Sequence, residues 1–353
     1  MYPKKFTFDP VTVARARMVT LRAPNLDVLL PENRAGMPGI AHFLEGGFKT
    51  RDKEGRLLLP DLRALANRTV GIFSDYAGED STSRYLTYSF LVCSFGSLGP
   101  FKQQMAALRK KASIGDKEIA FKDFRMGQLQ RMLPPYLRLV DQYVLGLVFT
   151  LMVDKSIPSL FGPPGPETLQ QLVSGLEEHG YGSVVPKVAE KLFRVVHITA
   201  FLIALLGHQR QKIFWMTDND AIGETPEKHQ QLLSILNKVL PLYTTKAFSF
   251  LGGARPFQPR AFEYLDLLSV ADVAAGAVAQ LFSSIDAVGH DKAQIKEGGN
   301  DVLRWLCHDS ITLKKLCIIV KRDAKGNVVY GPVNFEARTP IADEVFVPMQ
   351  LVR

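Results

Sequence analysis

The sequence predicts an α/β protein built on a mixed β-sheet that is flanked by helices. A hairpin pattern comes first, with an apolar run at residues 69–75, turn residues at 78–83 and a second apolar run at 85–94. Residues 143–153 form a longer β-type run that is apolar on both faces, which is typical of a central strand covered on both sides. Helical periodicity over residues 186–208, and the length and composition of residues 265–282, indicate the covering helices.

The composition is that of a folded protein with a basic surface. The chain has 353 residues, of which 46% are hydrophobic and 22% charged, and its net charge is +8. The first residues lack the apolar core of a signal peptide, and no apolar run reaches the ~18 residues that a membrane span needs. The three cysteines are too few and too scattered for a disulfide framework or a zinc knuckle. We therefore expect a cytoplasmic protein with no membrane partner, whose charge is compatible with binding nucleic acid.

Three regions are expected along the chain. Residues 1–68 are predicted to form an irregular N-terminal extension, because prolines interrupt any long periodicity and glycine-containing pairs suggest turns. Residues 69–285 carry the strand and helix signals of the core. Residues 286–353 are predicted to form a C-terminal appendage, in which apolar runs at 316–320 and 328–330 make a β-hairpin before an irregular tail.

Four acidic residues occupy positions where a carboxylate is costly to bury. Asp75 and Asp218 each end an apolar strand-like run, and Glu118 lies in a short strand or at its mouth. Asp272 shares one face of a predicted helix with small apolar residues, whereas Asp266 beside it is expected to face the surface. A buried carboxylate is expensive unless it is paired or bound to a metal. The alternative interpretation is that these acids cap turns and helices.

Carboxylate oxygens are the ligands that Mg²⁺ and Mn²⁺ prefer. Two such ions ~4 Å apart can activate water and stabilise the leaving oxygen of a phosphodiester. We therefore expect a shared catalytic and metal site for Mg²⁺ or Mn²⁺, with two ions, formed by Asp75, Glu118, Asp218 and Asp272. Asp220 is an alternative metal ligand to Asp218.

Basic residues near these acids are candidate nucleic-acid contacts. A predicted helix at residues 101–111 ends in Arg109, Lys110 and Lys111, and Lys122 follows Glu118. The alternative interpretation of the first three is a solvated helix end, where cations interact favourably with the helix dipole.

Residues 71–78, 118–123 and 267–276 resemble the domain-of-unknown-function 3800 family, and the last segment is the closest match. The resemblance covers roughly residues 69–285 and implies a ribonuclease H-like core. Members of the family carry a second acid after the Asp of the first strand, and Tyr76 stands at that position here. The strand ending at Asp218 fits the third acidic position, with Asp218 and Asp220 both open as the ligand.

The resulting hypothesis is a metal-dependent nuclease acting on DNA or RNA. The rival hypothesis is a non-catalytic nucleic-acid or protein-binding module on a ribonuclease H-like fold, because a fold does not determine a function. A serine or cysteine hydrolase is disfavoured, since the sequence contains no Gly-x-Ser-x-Gly elbow.

Overall fold

One mixed sheet organises the chain. The computed structural model describes residues 10–178, 180–257, 262–296 and 298–336. Within these ranges the strands are β1 (Thr69–Ala77), β2 (Tyr85–Ser94), β3 (Gly146–Asp154), β4 (Lys212–Thr217), β5 (Phe250–Gly253), β6 (Leu313–Arg322) and β7 (Val328–Val333). Their spatial order is β5-β4-β1-β2-β3-β6-β7. The predicted α/β class is therefore confirmed, as is the helix-flanked mixed sheet.

The strand directions place two of the predicted site residues at one edge. β2 is antiparallel to both β1 and β3, as the hairpin pattern predicts for its first pair. β4 runs parallel to β1, and β5 runs parallel to β4. β6 is parallel to β3, and β7 returns antiparallel to β6. Because β1 and β4 are parallel neighbours, their carboxyl ends lie side by side.

Helices cover both faces of the sheet and enclose two apolar cores. One face carries α2 (Gly39–Lys53), α5 (Pro166–Glu178), α6 (Pro186–Leu206) and α7 (Pro226–Val239). The other carries α3 (Gly99–Ala112), α4 (Gly127–Tyr143), α8 (Phe262–Val288) and α9 (Gly299–Leu306). The first helix of the described chain is α1 (Pro10–Val19). Every residue of β3 is buried between these layers, which agrees with its doubly apolar sequence.

The N-terminal region differs from the predicted irregular extension, because it contains α1 and α2. Ile40, Leu44 and Phe48 of α2 are fully buried and follow a four-residue spacing. Gly46 and Gly47, which suggested a turn, lie inside this helix. A Cβ at either glycine would overlap a side chain of the β6–β7 hairpin, so these glycines permit close packing. Residues 1–9 lie outside the described part of the chain.

The predicted C-terminal hairpin is present and extends the sheet. β6 pairs with β3 from Gly146↔Leu313 to Val153↔Val320. β7 lies outside β6, and α2 packs against the pair. The irregular tail predicted for the end of the chain falls in residues 337–353, which are outside the described part.

Helix α8 is the described helix that is long and apolar enough, by length and composition, to cross a membrane. Its apolar span is Tyr264–Val288, and 78% of the most apolar window is buried within the protein. This burial matches the core helix of a soluble protein, and a single such helix is weak evidence for a membrane span.

Candidate carboxylate site

Asp75 and Asp218 are brought together by the pairing of β1 with β4. Ser74 pairs with Thr217, the last residue of β4, so Asp75 and Asp218 occupy the next position on each chain. The backbone N–H of Asp218 donates to the carbonyl oxygen of Ser74 at 2.9 Å. Asp75 is buried, 7% exposed, and Asp218 is partly buried. The sheet register therefore sets two carboxylates side by side at one edge.

Asp272 and Glu118 complete the set from the α8 side of the sheet. Asp272 lies on α8, and its Oδ2 accepts the backbone N–H of Phe121 at 2.9 Å. Phe121 begins a short 3₁₀ turn, Phe121–Asp123, and the ring of Phe121 packs on Gly276 of α8, where any Cβ would overlap it. This contact docks the segment containing Glu118 onto the helix. Glu118 lies in a loop and is partly buried, so the predicted short strand is absent at that residue.

The pKa values of all four acids are raised, and the acids contribute to one another's shifts at Asp75, Asp272 and Glu118. Burial raises the pKa of Asp75 well above its ordinary value, and the carboxylates of Asp272, Asp218 and Glu118 raise it further. Burial is also the main cause that raises the pKa of Asp272 to about 7, with added repulsion from Glu118 and Asp218 and a smaller opposing effect than burial from the Phe121 N–H. Burial raises the pKa values of Glu118 and Asp218 too, and Asp218 adds to the effect at Glu118.

The four carboxylates supply the oxygen ligands that a hard divalent cation prefers. Their side chains are nevertheless not arranged at the spacing of metal ligands. Within the described residues, no group of three or more His, Cys, Asp or Glu side chains is arranged to hold a metal ion. Charge–charge effects extend over longer distances than coordinate bonds, so the two observations are compatible: the acids are neighbours without forming a closed ligand shell. Four crowded carboxylates with raised pKa values form a site that a cation would stabilise.

Asp220 has a partner that Asp218 lacks among the described residues. Lys191 of α6 forms an ion pair with Asp220 and another with Glu79. The second oxygen of Asp220 accepts the backbone N–H of Ile222 at 3.0 Å, as a turn-capping Asp does. Burial lowers the pKa of Lys191, but Asp220 and Glu79 together raise it above its ordinary value, so the lysine remains charged. Between the two alternatives, these contacts favour Asp218 as the metal ligand.

The predicted phosphate contacts divide into two groups. Lys122 is exposed, and its charge lowers the pKa values of Glu118, Asp218 and Asp272, which places it beside the acids. Lys110 and Lys111 are exposed in the last turn of α3.

Arg109 is engaged inside the protein. It forms an ion pair with Asp266 and donates to the carbonyl oxygens of Gly115 and Lys117 at 2.8 Å each. The expectation that Asp266 faces the surface is wrong, because Asp266 is 6% exposed and satisfied by Arg109. Arg109 thus anchors the loop that leads to Glu118, and this geometry gives no support to a phosphate contact.

Sequence reasoning missed the polar network on the opposite face of the same strand ends. The Tyr76 hydroxyl bonds to Thr217 Oγ1 at 2.7 Å and to Ser74 Oγ at 3.0 Å. The Lys191 ammonium lies 4.6 Å from the centroid of the Tyr76 ring. A usable signal was present: Lys191 is a charged residue in a predominantly apolar helix, and a lysine on the buried side of such a helix needs a partner.

No protein-family model matches the sequence, and no curated protein matches it significantly. The function must therefore be argued from the site itself.

Proposed function

We propose that this protein is a divalent-metal-dependent nuclease that hydrolyses phosphodiester bonds at the carboxylate site. The observation that carries the proposal is the electrostatic proximity of four acids drawn from β1, the end of β4, α8 and the loop before the 3₁₀ turn: Asp272, Asp218 and Glu118 raise the pKa of Asp75, and Glu118 and Asp218 raise that of Asp272. Assembling like charges at the end of a sheet raises the free energy of the folded protein. A function that uses a cation there accounts for that cost.

The sheet supports the ribonuclease H-like assignment. Read from one end, the five strands β3-β2-β1-β4-β5 have only β2 antiparallel to the rest. This order and these directions fit the ribonuclease H-like core that the resemblance implies, with β6 and β7 added beyond β3. The first acid lies on the central strand β1 and the second strand acid follows its parallel neighbour β4, as the resemblance to the domain-of-unknown-function 3800 family implies.

The residues have separable roles in this proposal. Asp75, Glu118, Asp218 and Asp272 would hold Mg²⁺ or Mn²⁺, which would supply Lewis-acid activation of water and stabilisation of the leaving oxygen. Asp272 would have to release a proton to hold a metal ion, since its pKa of about 7 leaves it partly protonated at neutral pH. Lys122 would orient a phosphate beside the acids, and Lys110 and Lys111 would contact phosphates farther along the bound nucleic acid.

The test is cleavage of single- and double-stranded DNA, RNA and RNA–DNA hybrid in Mg²⁺, Mn²⁺ and EDTA. Asp75→Asn and Asp272→Asn should abolish cleavage, whereas Asp116→Asn, an exposed acid in the loop of Glu118, should retain it. Cleavage that persists in both inactive variants would identify a contaminating nuclease. No cleavage, together with no Mn²⁺ binding by calorimetry, would overturn the proposal.

The second candidate function is a non-catalytic nucleic-acid or protein-binding module. Two observations favour it: the described acids do not form a ligand shell, and Asp272 already accepts the Phe121 N–H. In this case the carboxylate of Asp272 serves to dock the 118–123 segment on α8. Nucleic-acid binding that is unchanged by EDTA and by Asp75→Asn, without cleavage, would support this alternative.

A further inference from the structure

Lys191 is a buried lysine that forms ion pairs with two loops, one after β1 and one after β4. Its side chain is only 11% exposed, and the neighbouring helix residues Leu192 and Val195 are fully buried. Burying a lysine is unfavourable unless its charge is paired. Its two partners, Glu79 and Asp220, follow β1 and β4 respectively, which are the strands that end at the carboxylate site.

Through Tyr76, Lys191 is linked to the ends of β1 and β4, the strand ends at which Asp75 and Asp218 lie. Its ammonium lies over the ring of Tyr76, whose hydroxyl joins Ser74 of β1 to Thr217 of β4. Side chains alternate between the faces of a strand, so Ser74 and Tyr76 face α6 while Asp75 faces the opposite layer. The Ser74 carbonyl in turn accepts the N–H of Asp218.

We propose that Lys191 is a positioning residue that holds the carboxyl ends of β1 and β4 together, and so sets the separation of Asp75 and Asp218 from the far side of the sheet. The inference rests on the proposed function, because it names what fixes the geometry of that metal site. Lys191 itself contacts neither metal nor substrate in this arrangement.

The charge of Lys191 and its proposed positioning role predict opposite effects of Lys191→Met on metal affinity, so the inference can be tested. Lys191→Met removes a positive charge, so electrostatics alone predicts tighter binding of a cation at the site. Loss of positioning predicts the opposite. Supporting residues around metal ligands typically contribute about 10–100-fold in affinity, so we expect Mn²⁺ affinity to fall at least about tenfold.

The measurement is Mn²⁺ titration followed by electron paramagnetic resonance of the free ion. Lys191→Arg should keep most of the affinity, because a guanidinium keeps the positive charge and can both pair with carboxylates and stack on the Tyr76 ring. Lys187→Met is the matched control, since Lys187 is an exposed lysine one turn earlier on α6, and it should bind as the unaltered protein does. Unchanged or tighter Mn²⁺ binding by Lys191→Met would overturn the inference.

A second readout separates this inference from the proposed function. If the unaltered protein binds no Mn²⁺, the proposed function fails, but hydrogen exchange at the Asp218 amide still reports on the junction of β1 and β4. Exchange there should be faster in Lys191→Met and normal in Lys191→Arg, with peptides of β6 unaffected. Tyr76→Phe, which keeps the ring and loses both hydroxyl bonds, provides the same test if Lys191→Met does not fold. Normal protection at Asp218 in Lys191→Met, or in Tyr76→Phe where Lys191→Met does not fold, would refute the positioning role.

Discussion

Asp272 couples the stability of the protein to pH. Its pKa is raised from 3.8 to about 7 in the folded protein, mainly by burial. Between these two values the folded state keeps a proton that the unfolded chain releases, so the free energy of unfolding falls as pH rises through this window and levels off above it. Asp272→Asn keeps an oxygen that can accept the Phe121 N–H but cannot ionise.

We therefore predict that Asp272→Asn is as stable as the unaltered protein at low pH and more stable near pH 8 in EDTA. Thermal melting from pH 4 to pH 8 checks this directly. Melting curves that shift in parallel at every pH would contradict it, and a lower melting temperature for the variant at all pH values would mark the carboxylate as a purely structural partner.

Lys191 distinguishes Asp220 from Asp218, because it forms an ion pair with Asp220. We predict that Asp218→Asn removes most Mn²⁺ binding, because Asp218 has no ion-pair partner among the described residues and lies beside Asp75. Asp220→Asn should weaken binding less, through the loss of its ion pair with Lys191. Calorimetric titration of the two variants measures the difference, and the reverse order of loss would assign the ligand to Asp220.

For single residues, the local sequence predicts the secondary-structure position of an acid but not its contact partners. The positions of the four candidate acids were predictable because each follows an apolar strand, shares a helix face with small residues or, for Glu118, lies in a segment on which the family resemblance depends. The burial of Asp266 was not, because its partner Arg109 is 157 residues away and only the fold joins them. The same reason hid the link from Lys191 to Glu79 and Asp220.

Among the elements, the contact between α8 and the 3₁₀ turn is the one that most directly supports the site. A Cβ at Gly276 would overlap the ring of Phe121. We predict that Gly276→Ala destabilises the protein by about 1–3 kcal/mol, the usual cost of overpacking, and weakens Mn²⁺ binding by displacing Glu118. Gly175→Ala in α5 is the control, since a Cβ there meets nothing within 4 Å. Alanine at that position should be neutral or stabilising by about 0.5–1 kcal/mol.

Urea denaturation and Mn²⁺ titration of both glycine variants provide the comparison. Equal stability of Gly276→Ala and the unaltered protein would mean that the turn yields easily and does not fix Glu118.

Most elements were predictable, because strands and long helices leave periodic apolar patterns. The sequence predicts β1, β2, β3, the β6–β7 hairpin and the helices α6 and α8. It predicts an irregular segment where α2 lies, because Gly46 and Gly47 resemble a turn until the side chains packed against them are known. The order of strands in the sheet depends on contacts between distant segments, which no local pattern contains.

At the scale of the whole molecule, the net charge of +8 predicts a measurable salt dependence. We expect affinity for nucleic acid to fall as salt rises, with a slope that counts the phosphates contacted. Lys122→Ala should reduce that slope by about one phosphate's worth, whereas Lys212→Ala, an exposed lysine at the opposite end of β4, should leave it unchanged. Fluorescence anisotropy at several salt concentrations measures both slopes, and equal slopes would remove Lys122 from the contact surface.

The pairing of β6 along β3 determines where this protein can be shortened. Residues 69–285 contain every proposed ligand. A chain ending at residue 285 would nevertheless leave β3, whose residues are all buried, as a bare apolar edge. Such an edge invites strand pairing between molecules, so the shortened protein should precipitate rather than remain in solution. The hairpin thus keeps the part of the molecule that carries the four acids from associating with its own copies.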